Sequence, residues 1–159
     1  MDVRDIAHAL ALTCRFTGHV RTFYSVAEHS CRVHDAVIAK WPYEQNAFEA
    51  LFHDAAEAYL VDIAKPIKDL VGIGPRSFVE HEHHLLMVIA AALGKPWHNH
   101  PGTKHFDIVL LVTEARDLLG PPPELWSSTL EYDPLVETIE PWPWEKAEAE
   151  FLKRWEALC

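Results

Sequence analysis

The chain has 159 residues, of which 49% are hydrophobic, and its 14 lysines and arginines against 24 aspartates and glutamates give a formal net charge of −10. That length is typical of one domain with a buried core. The negative charge argues against general DNA or RNA binding, and no apolar run approaches the roughly 18 residues of a membrane span. The first ten residues lack the pattern of a signal peptide, so we expect a cytoplasmic protein.

The cysteine and histidine content indicates which kinds of metal or disulfide site the chain could form. The three cysteines are odd in number and include no CxxC pair. We therefore expect thiols in a reducing compartment, and neither a disulfide framework nor a thiolate zinc site. The 11 histidines are the unusual feature of the composition. Either these histidines lie on the surface, or some of them bind a metal ion.

Helical periodicity dominates the first half of the chain, and no segment alternates as a surface strand does. Ser25 and Glu28 form a capping-box pattern that begins a helix ending near residue 40. A second helix is predicted over 43–60. Pro66 removes a backbone donor, so 62–68 is predicted to be a turn or a broken helix.

The second half is predicted to be helical as well, with helices over 76–93, 104–119 and 145–158. Gly94 and Gly120 follow the first two of these helices, as helix C-terminal glycines do. The Gly-Pro-Pro-Pro run at 120–123 excludes a helix there, and we interpret the following chain to residue 144 as irregular.

These elements together predict an all-α fold, a compact helical bundle in a single domain. Residues 1–120 would form its core. Residues 121–159, a segment rich in proline and tryptophan followed by the last helix, would pack back on the same domain.

Three predicted helices place an ionisable side chain on or beside their apolar face. His29 lies at the edge of one stripe, Asp54 lies within another beside His53, and Asp107 and Glu114 share a third. A buried carboxylate is costly unless it is paired or bound to a metal, and imidazoles with carboxylates suit zinc, manganese, iron or cobalt. Spacing alone leaves two interpretations open: a metal site, or an interior His–Asp pair with an unrelated ion pair.

The order of these residues resembles the signature of HD-domain metal-dependent phosphohydrolases. Longer blocks are similar to those of bacterial 5′-deoxynucleotidases and, in the same superfamily, of small phage dATP triphosphohydrolases. The blocks are RF at 15–16, VRT at 20–22, SVAEHS at 25–30, LFHDAAEAY at 51–59, DI at 62–63 and KPIK at 65–68. The resemblance covers about residues 15–119. Phe16 stands where the nucleotidases usually carry tryptophan, and the interval between His29 and His53 is short for that group.

The resemblance implies a role for each matching residue. The metal ligands would be His29, His53, Asp54 and Asp107. The catalytic acid/base pair would be Glu57 and Asp62, with their duties undivided. The substrate contacts would be Arg15, Phe16, Arg21 and Lys65, with Lys68 as the alternative lysine.

The resemblance also implies an enzyme that removes phosphate from deoxynucleoside monophosphates with one divalent cobalt, manganese, zinc or iron ion. The first alternative is a triphosphohydrolase that releases triphosphate from dNTPs, dATP in particular, with Mg²⁺ as the option for a second ion. The second alternative is a non-catalytic nucleotide or metal sensor. The expected partner is a small nucleotide, with no nucleic-acid polymer and no membrane, and relatives that form dimers or rings imply a homo-oligomer.

Overall fold

Helices account for nearly all the regular structure of residues 1–68, 70–121 and 131–158, the part of the chain that the computed structural model describes, without the side chains of Lys65, Pro66 and Ile73. The helices, in chain order, are α1 (Val3–Leu12), α2 (Val26–Lys40), α3 (Glu44–Phe52), α4 (Glu57–Leu60), α5 (Lys65–Lys68), α6 (Phe78–Ala92), α7 (Pro101–Leu118) and α8 (Trp144–Glu156). The prediction of an all-α fold is confirmed. The expectation of irregular chain over 122–130 lies outside the described residues.

Two short elements interrupt this helical order. A two-residue strand β1 (Gly72–Ile73) pairs antiparallel with β2 (Arg76–Ser77), in the register Gly72 to Ser77 and Ile73 to Arg76. A short turn (Arg15–Gly18) connects α1 to the segment before α2. None of the helices in the described part combines the length and the apolar character that crossing a bilayer demands.

The predicted N-terminus of α2 is confirmed, but its capping box is only half formed. The Ser25 side chain accepts a hydrogen bond from the backbone N–H of Glu28. The Glu28 carboxylate is fully buried and accepts instead from the Arg32 guanidinium and from the backbone N–H of Trp142. A residue chosen on sequence as a local cap therefore ties the segment before α8 to α2.

The single helix predicted over 43–60 is wrong, because the chain breaks after α3 and resumes in α4. His53 Nδ1 donates to the carbonyl oxygen of Ala50 at 2.8 Å, which is the acceptor that an uninterrupted helix would offer to the N–H of Asp54. The following N–H groups bond three residues back instead, as in Glu57 N–H to the Asp54 carbonyl at 2.9 Å. The tighter turn at 53–56 places His53 and Asp54 at the end of α3.

Other helix limits also differ from the prediction. Helix α1 is not predicted by the sequence reading, and Asp2 caps its N-terminus. Helix α6 begins at Phe78, since the two residues before it belong to β2 and Ser77 forms a full capping box with Glu80. Helix α7 begins at Pro101, before the predicted start at residue 104, because the His100 side chain caps its N-terminus.

Helix α2 lies between two apolar clusters. One cluster joins α1, α2, α3 and α8, where Phe52 and Phe151 pack edge to face with ring centres 5.2 Å apart. The other joins α2 to α7 through side chains such as Val33 and Leu110. This central position brings one side of α2 close to both the 53–56 turn and α7.

Helix α8 is held to α2 by a bidentate ion pair. Arg154 donates to both carboxylate oxygens of Asp35, at 2.9 and 2.6 Å. Burial by itself raises the pKa of Asp35, but the hydrogen bonds from His34 and Arg154 outweigh it and lower the pKa to about 2. The ion pair therefore contributes stability above the ordinary aspartate pKa of about 4 and loses that contribution as the pH falls towards 2.

We expect Asp35→Asn to lower the free energy of unfolding at pH 7 by about 1 kcal/mol or less, because half of the Asp35 side chain is exposed and screened. Denaturant unfolding of wild type and variant at pH 7 and pH 3 measures the effect, and the difference should shrink at the lower pH. Asp133→Asn, at another exposed aspartate, is the control. A difference that grows on acidification would contradict the role given to this pair.

Candidate metal centre

Four side chains from three parts of the fold converge beside α2. His29 projects from α2, His53 and Asp54 from the turn after α3, and Asp107 from α7. His29 Nε2 lies 3.2 Å from His53 Nε2, 3.3 Å from Asp107 Oδ1 and 3.7 Å from Asp54 Oδ2. His53 Nε2 lies 3.3 Å from Asp54 Oδ2 and 4.0 Å from Asp107 Oδ1. The separations among His29, His53 and Asp107 are those of ligands around one ion with bonds of about 2.1 Å.

The hydrogen bonds behind the two imidazoles aim both Nε2 atoms at this point. His53 Nδ1 donates to the carbonyl of Ala50, and His29 Nδ1 lies 2.5 Å from Glu114 Oε1. In the neutral rings these bonds put the proton on Nδ1 and leave the Nε2 lone pair facing the carboxylates. The acceptor nitrogens of the two rings then lie beside carboxylate oxygens, an arrangement that a cation stabilises.

The His29 ring shows how strongly this cluster favours positive charge. Burial and the Arg15 charge lower the pKa of His29, but Glu114 and Asp107 outweigh them and raise the pKa to about 9. His29, His53 and Asp107 offer ligand atoms that all lie within 4.8 Å of one another, so this group could hold a metal ion. Asp54 borders it through its contacts to both histidines.

Each carboxylate of the cluster also has a cation behind it. Arg15 Nη1 lies 3.2 Å from Asp54 Oδ2, and its Nε lies 3.1 Å from Glu114 Oε2. Lys104 Nζ lies 2.7 Å from Asp107 Oδ2. The Arg15 side chain is nearly buried, and although burial alone lowers the pKa of the guanidinium, the surrounding carboxylates raise it above its ordinary value. Arg15 is therefore a fixed positive charge at the cluster.

Phe16 lies next to the cluster on a strained backbone. Phe16 and Thr17 have φ values of 55° and 52°, a left-handed conformation that is uncommon for residues other than glycine, and Gly18 continues it at 79°. The half-buried Phe16 ring packs against the Arg15 guanidinium, 5.5 Å from its centre. Arg21, by contrast, is exposed, and no contact of its side chain with the cluster is present among the described residues.

The predicted acid/base residue Glu57 is buried at the start of α4. Its Oε1 accepts from Lys68 Nζ at 3.1 Å, and Lys68 also contacts Glu82 Oε1 at 2.7 Å. Its Oε2 is buried and has no hydrogen-bond partner within the described part of the chain. Burial, followed by the charges of Asp54 and Asp62, raises the pKa of Glu57. Asp62 itself is half buried.

The lysine that contacts this carboxylate is Lys68, which the sequence offers as the alternative to Lys65. The side chain of Lys65, the lysine that the sequence prediction selects, lies outside the described part. Both lysines belong to the same KPIK block, so the sequence locates the block but does not show which lysine contacts Glu57.

Glu114 is the functional candidate that sequence reasoning noticed but gave no role. It is fully buried on α7, where its two oxygens contact His29 and Arg15. Burial alone raises the pKa of this carboxyl group, but the charges of Arg15 and His29 outweigh it and keep the group ionised. The available signal was its place two turns after Asp107 on one helix face.

Comparison with known proteins gives two relatives and no activity. The uncharacterized protein YfdR of Escherichia coli K12 is 39% identical over 116 residues, which cover 73% of this chain and 60% of YfdR. An uncharacterized protein of Rhodobacter capsulatus is 35% identical over 100 residues, which cover 60% of this chain and 50% of that protein. No family model matches the chain. The matched region thus spans between half and three fifths of each relative's length.

Proposed function

We propose that this chain is a metal-dependent phosphohydrolase that cleaves deoxynucleoside monophosphates to a deoxynucleoside and phosphate. The observation that carries the proposal is the group of His29, His53 and Asp107, which could hold one metal ion. Asp54 contacts both histidines of this group, and Arg15 and Glu57 lie beside Asp54. A cluster that served only as a structural ion-pair network could contain the same histidines and carboxylates. It would not require a second buried carboxylate with one oxygen left without a partner. Glu57 supplies that oxygen, because its Oε2 has no hydrogen-bond partner among the described residues.

The donor set fits a divalent transition metal. Two imidazoles and two carboxylates suit zinc, manganese, cobalt or iron, and four protein ligands leave coordination positions open in a five- or six-coordinate site. When bound, such an ion would acidify a water molecule and polarise a phosphoryl oxygen.

The residues around the donor set divide the remaining tasks. Glu57 Oε2 is the acceptor for a proton of the attacking water, while Lys68 holds the other oxygen. Arg15 binds the phosphate through its guanidinium edge, and Phe16 contacts the nucleoside. Cleavage of the P–O5′ bond leaves an alkoxide that takes up one proton, for which Glu57 and Asp62 are the candidate donors. Water thus adds a hydroxyl group to phosphorus and one proton to the leaving group.

The distribution of cations favours a monophosphate. Arg15, Lys68 and Lys104 are the cations that contact carboxylates of the cluster or of Glu57 in the described chain, and each is already paired. A single phosphate needs little charge beyond the metal and Arg15. A triphosphate carries more negative charge than these paired side chains neutralise.

The test is a substrate panel with controlled metal. Protein stripped by a chelator is reloaded with Co²⁺, Mn²⁺ or Zn²⁺ and incubated with every dNMP, NMP and dNTP, and phosphate and triphosphate are quantified separately. We expect phosphate from dNMPs with at least one metal and none from stripped protein. Triphosphate from dATP alone would replace the proposal by a triphosphohydrolase. Nucleotide binding without turnover under any metal would identify a sensor.

A further inference from the structure

We propose that Glu114 is a positioning residue that fixes the metal ligand His29 and the phosphate-binding Arg15 at the same time. This inference rests on the proposed function, because it assigns the two residues that Glu114 holds to metal and substrate. Glu114 itself lies behind both residues, fully buried within α7.

The two oxygens of Glu114 have separate partners. Oε1 lies 2.5 Å from His29 Nδ1, and Oε2 lies 3.1 Å from Arg15 Nε. An acceptor at Nδ1 keeps the proton on that nitrogen, so Nε2 stays available as a metal donor and the ring keeps its orientation. The contact at Nε leaves the Nη atoms of Arg15 directed away from Glu114, and Nη1 meets Asp54.

A carboxylate is needed here because both neighbours donate. A glutamine at this position would have the same shape but one acceptor oxygen and one donor nitrogen. If its oxygen faced His29, its amide N–H would oppose the Nε–H of Arg15. If its oxygen faced Arg15, the amide would donate to His29 Nδ1, and the ring would then carry its proton on Nε2. No orientation of an amide satisfies the two residues together.

Glu49 offers a matched control at a distance from these contacts. It is a buried glutamate on α3, 2% exposed, and its carboxylate accepts the backbone N–H groups of His98 and His100. It therefore resembles Glu114 in residue type, burial and two-donor bonding, but contacts neither His29 nor Arg15. Glu49→Gln measures what the loss of a buried carboxylate does to the fold alone.

The experiment measures Zn²⁺ affinity by competition with a chromophoric chelator at pH 7.5 in wild type, Glu114→Gln and Glu49→Gln. We expect Glu114→Gln to weaken Zn²⁺ binding by about 10- to 100-fold, the usual effect of removing a partner of a ligating histidine. Glu49→Gln should stay within about threefold of wild type. The inhibition constant of inorganic phosphate, measured in the same proteins with Zn²⁺ saturating, should rise in Glu114→Gln only.

A second measurement needs no substitution. In Zn²⁺-loaded wild type labelled with ¹⁵N at histidine, His29 should show a downfield proton bonded to Nδ1. An Nδ1 without a proton would overturn the inference, as would equal Zn²⁺ affinities in wild type and Glu114→Gln. If wild type itself bound no Zn²⁺, Co²⁺ or Mn²⁺, the inference would fall together with the proposed function. If wild type hydrolysed dNMPs and Glu114→Gln matched it in both constants, the inference alone would fall.

Discussion

Asp54→Ala is expected to lower metal affinity and phosphate release together, each by at least about 100-fold. Removing a residue that only hydrogen-bonds a metal ligand costs up to about 100-fold, and removing a ligand should cost at least as much. Asp54 Oδ2 faces both imidazoles, at 3.3 Å from His53 and 3.7 Å from His29, so its loss removes negative charge from the point where the donors meet. Arg15 would lose one of its two carboxylate partners and keep Glu114. Competition with a chelator measures the affinity, and phosphate release from dNMPs measures the activity.

Asp35→Ala is the matched control for this experiment. Asp35 is also an aspartate paired with an arginine, but it lies on the face of α2 that meets α8. Its substitution should change stability slightly and leave metal affinity unchanged. Circular dichroism of both variants shows whether each is folded. Full activity in a folded Asp54→Ala protein would exclude the metal-dependent reaction proposed for this chain.

Local patterns in the sequence predict the helices because helices depend mainly on neighbours along the chain. The all-α fold follows from periodicity, and the Ser25 cap follows from a hydroxyl three residues before Glu28. The break at 53–56 could not be seen in this way, since the apolar stripe of the predicted helix continues across it. The break depends on the His53 ring bonding the Ala50 carbonyl, a side-chain choice that periodicity does not record.

In the candidate site, too, the sequence predicts the residue types but not their arrangement in space. The residue types at His29, His53, Asp54 and Asp107 were selected from the sequence, and the structure brings these four together. Their distances depend on how α2, α3 and α7 pack.

The role of Glu114 could not be predicted from the sequence. Its partners lie 85 and 99 residues away along the chain, and its helix face alone does not distinguish a buried ion pair from a support for a ligand. The left-handed turn at 16–18 was equally hidden, because Gly18 is its only residue that prefers this conformation.

Glu57→Gln is expected to lower kcat by about 10²- to 10⁴-fold while metal affinity stays close to that of wild type. The amide keeps the shape of the side chain but has no carboxylate oxygen to accept a proton from water. Lys68 would keep Glu82 as a partner at 2.7 Å, so this contact between α5 and α6 should persist. Steady-state kinetics with a dNMP, together with metal competition, separate the two effects.

Glu82→Gln makes the comparison specific, because it removes the other carboxylate that contacts the same lysine. Lys68 would then keep Glu57 at 3.1 Å, and one partly exposed ion pair would be lost, so we expect kcat to change by less than about fivefold. Equal losses in the two variants would mean that the reaction requires the ion pairs that join Glu57, Lys68 and Glu82, and not the Oε2 atom of Glu57. A large loss confined to Glu57→Gln assigns proton transfer to Glu57 Oε2. Both variants replace a carboxylate that contacts Lys68, and only Glu57→Gln changes an oxygen that has no partner among the described residues.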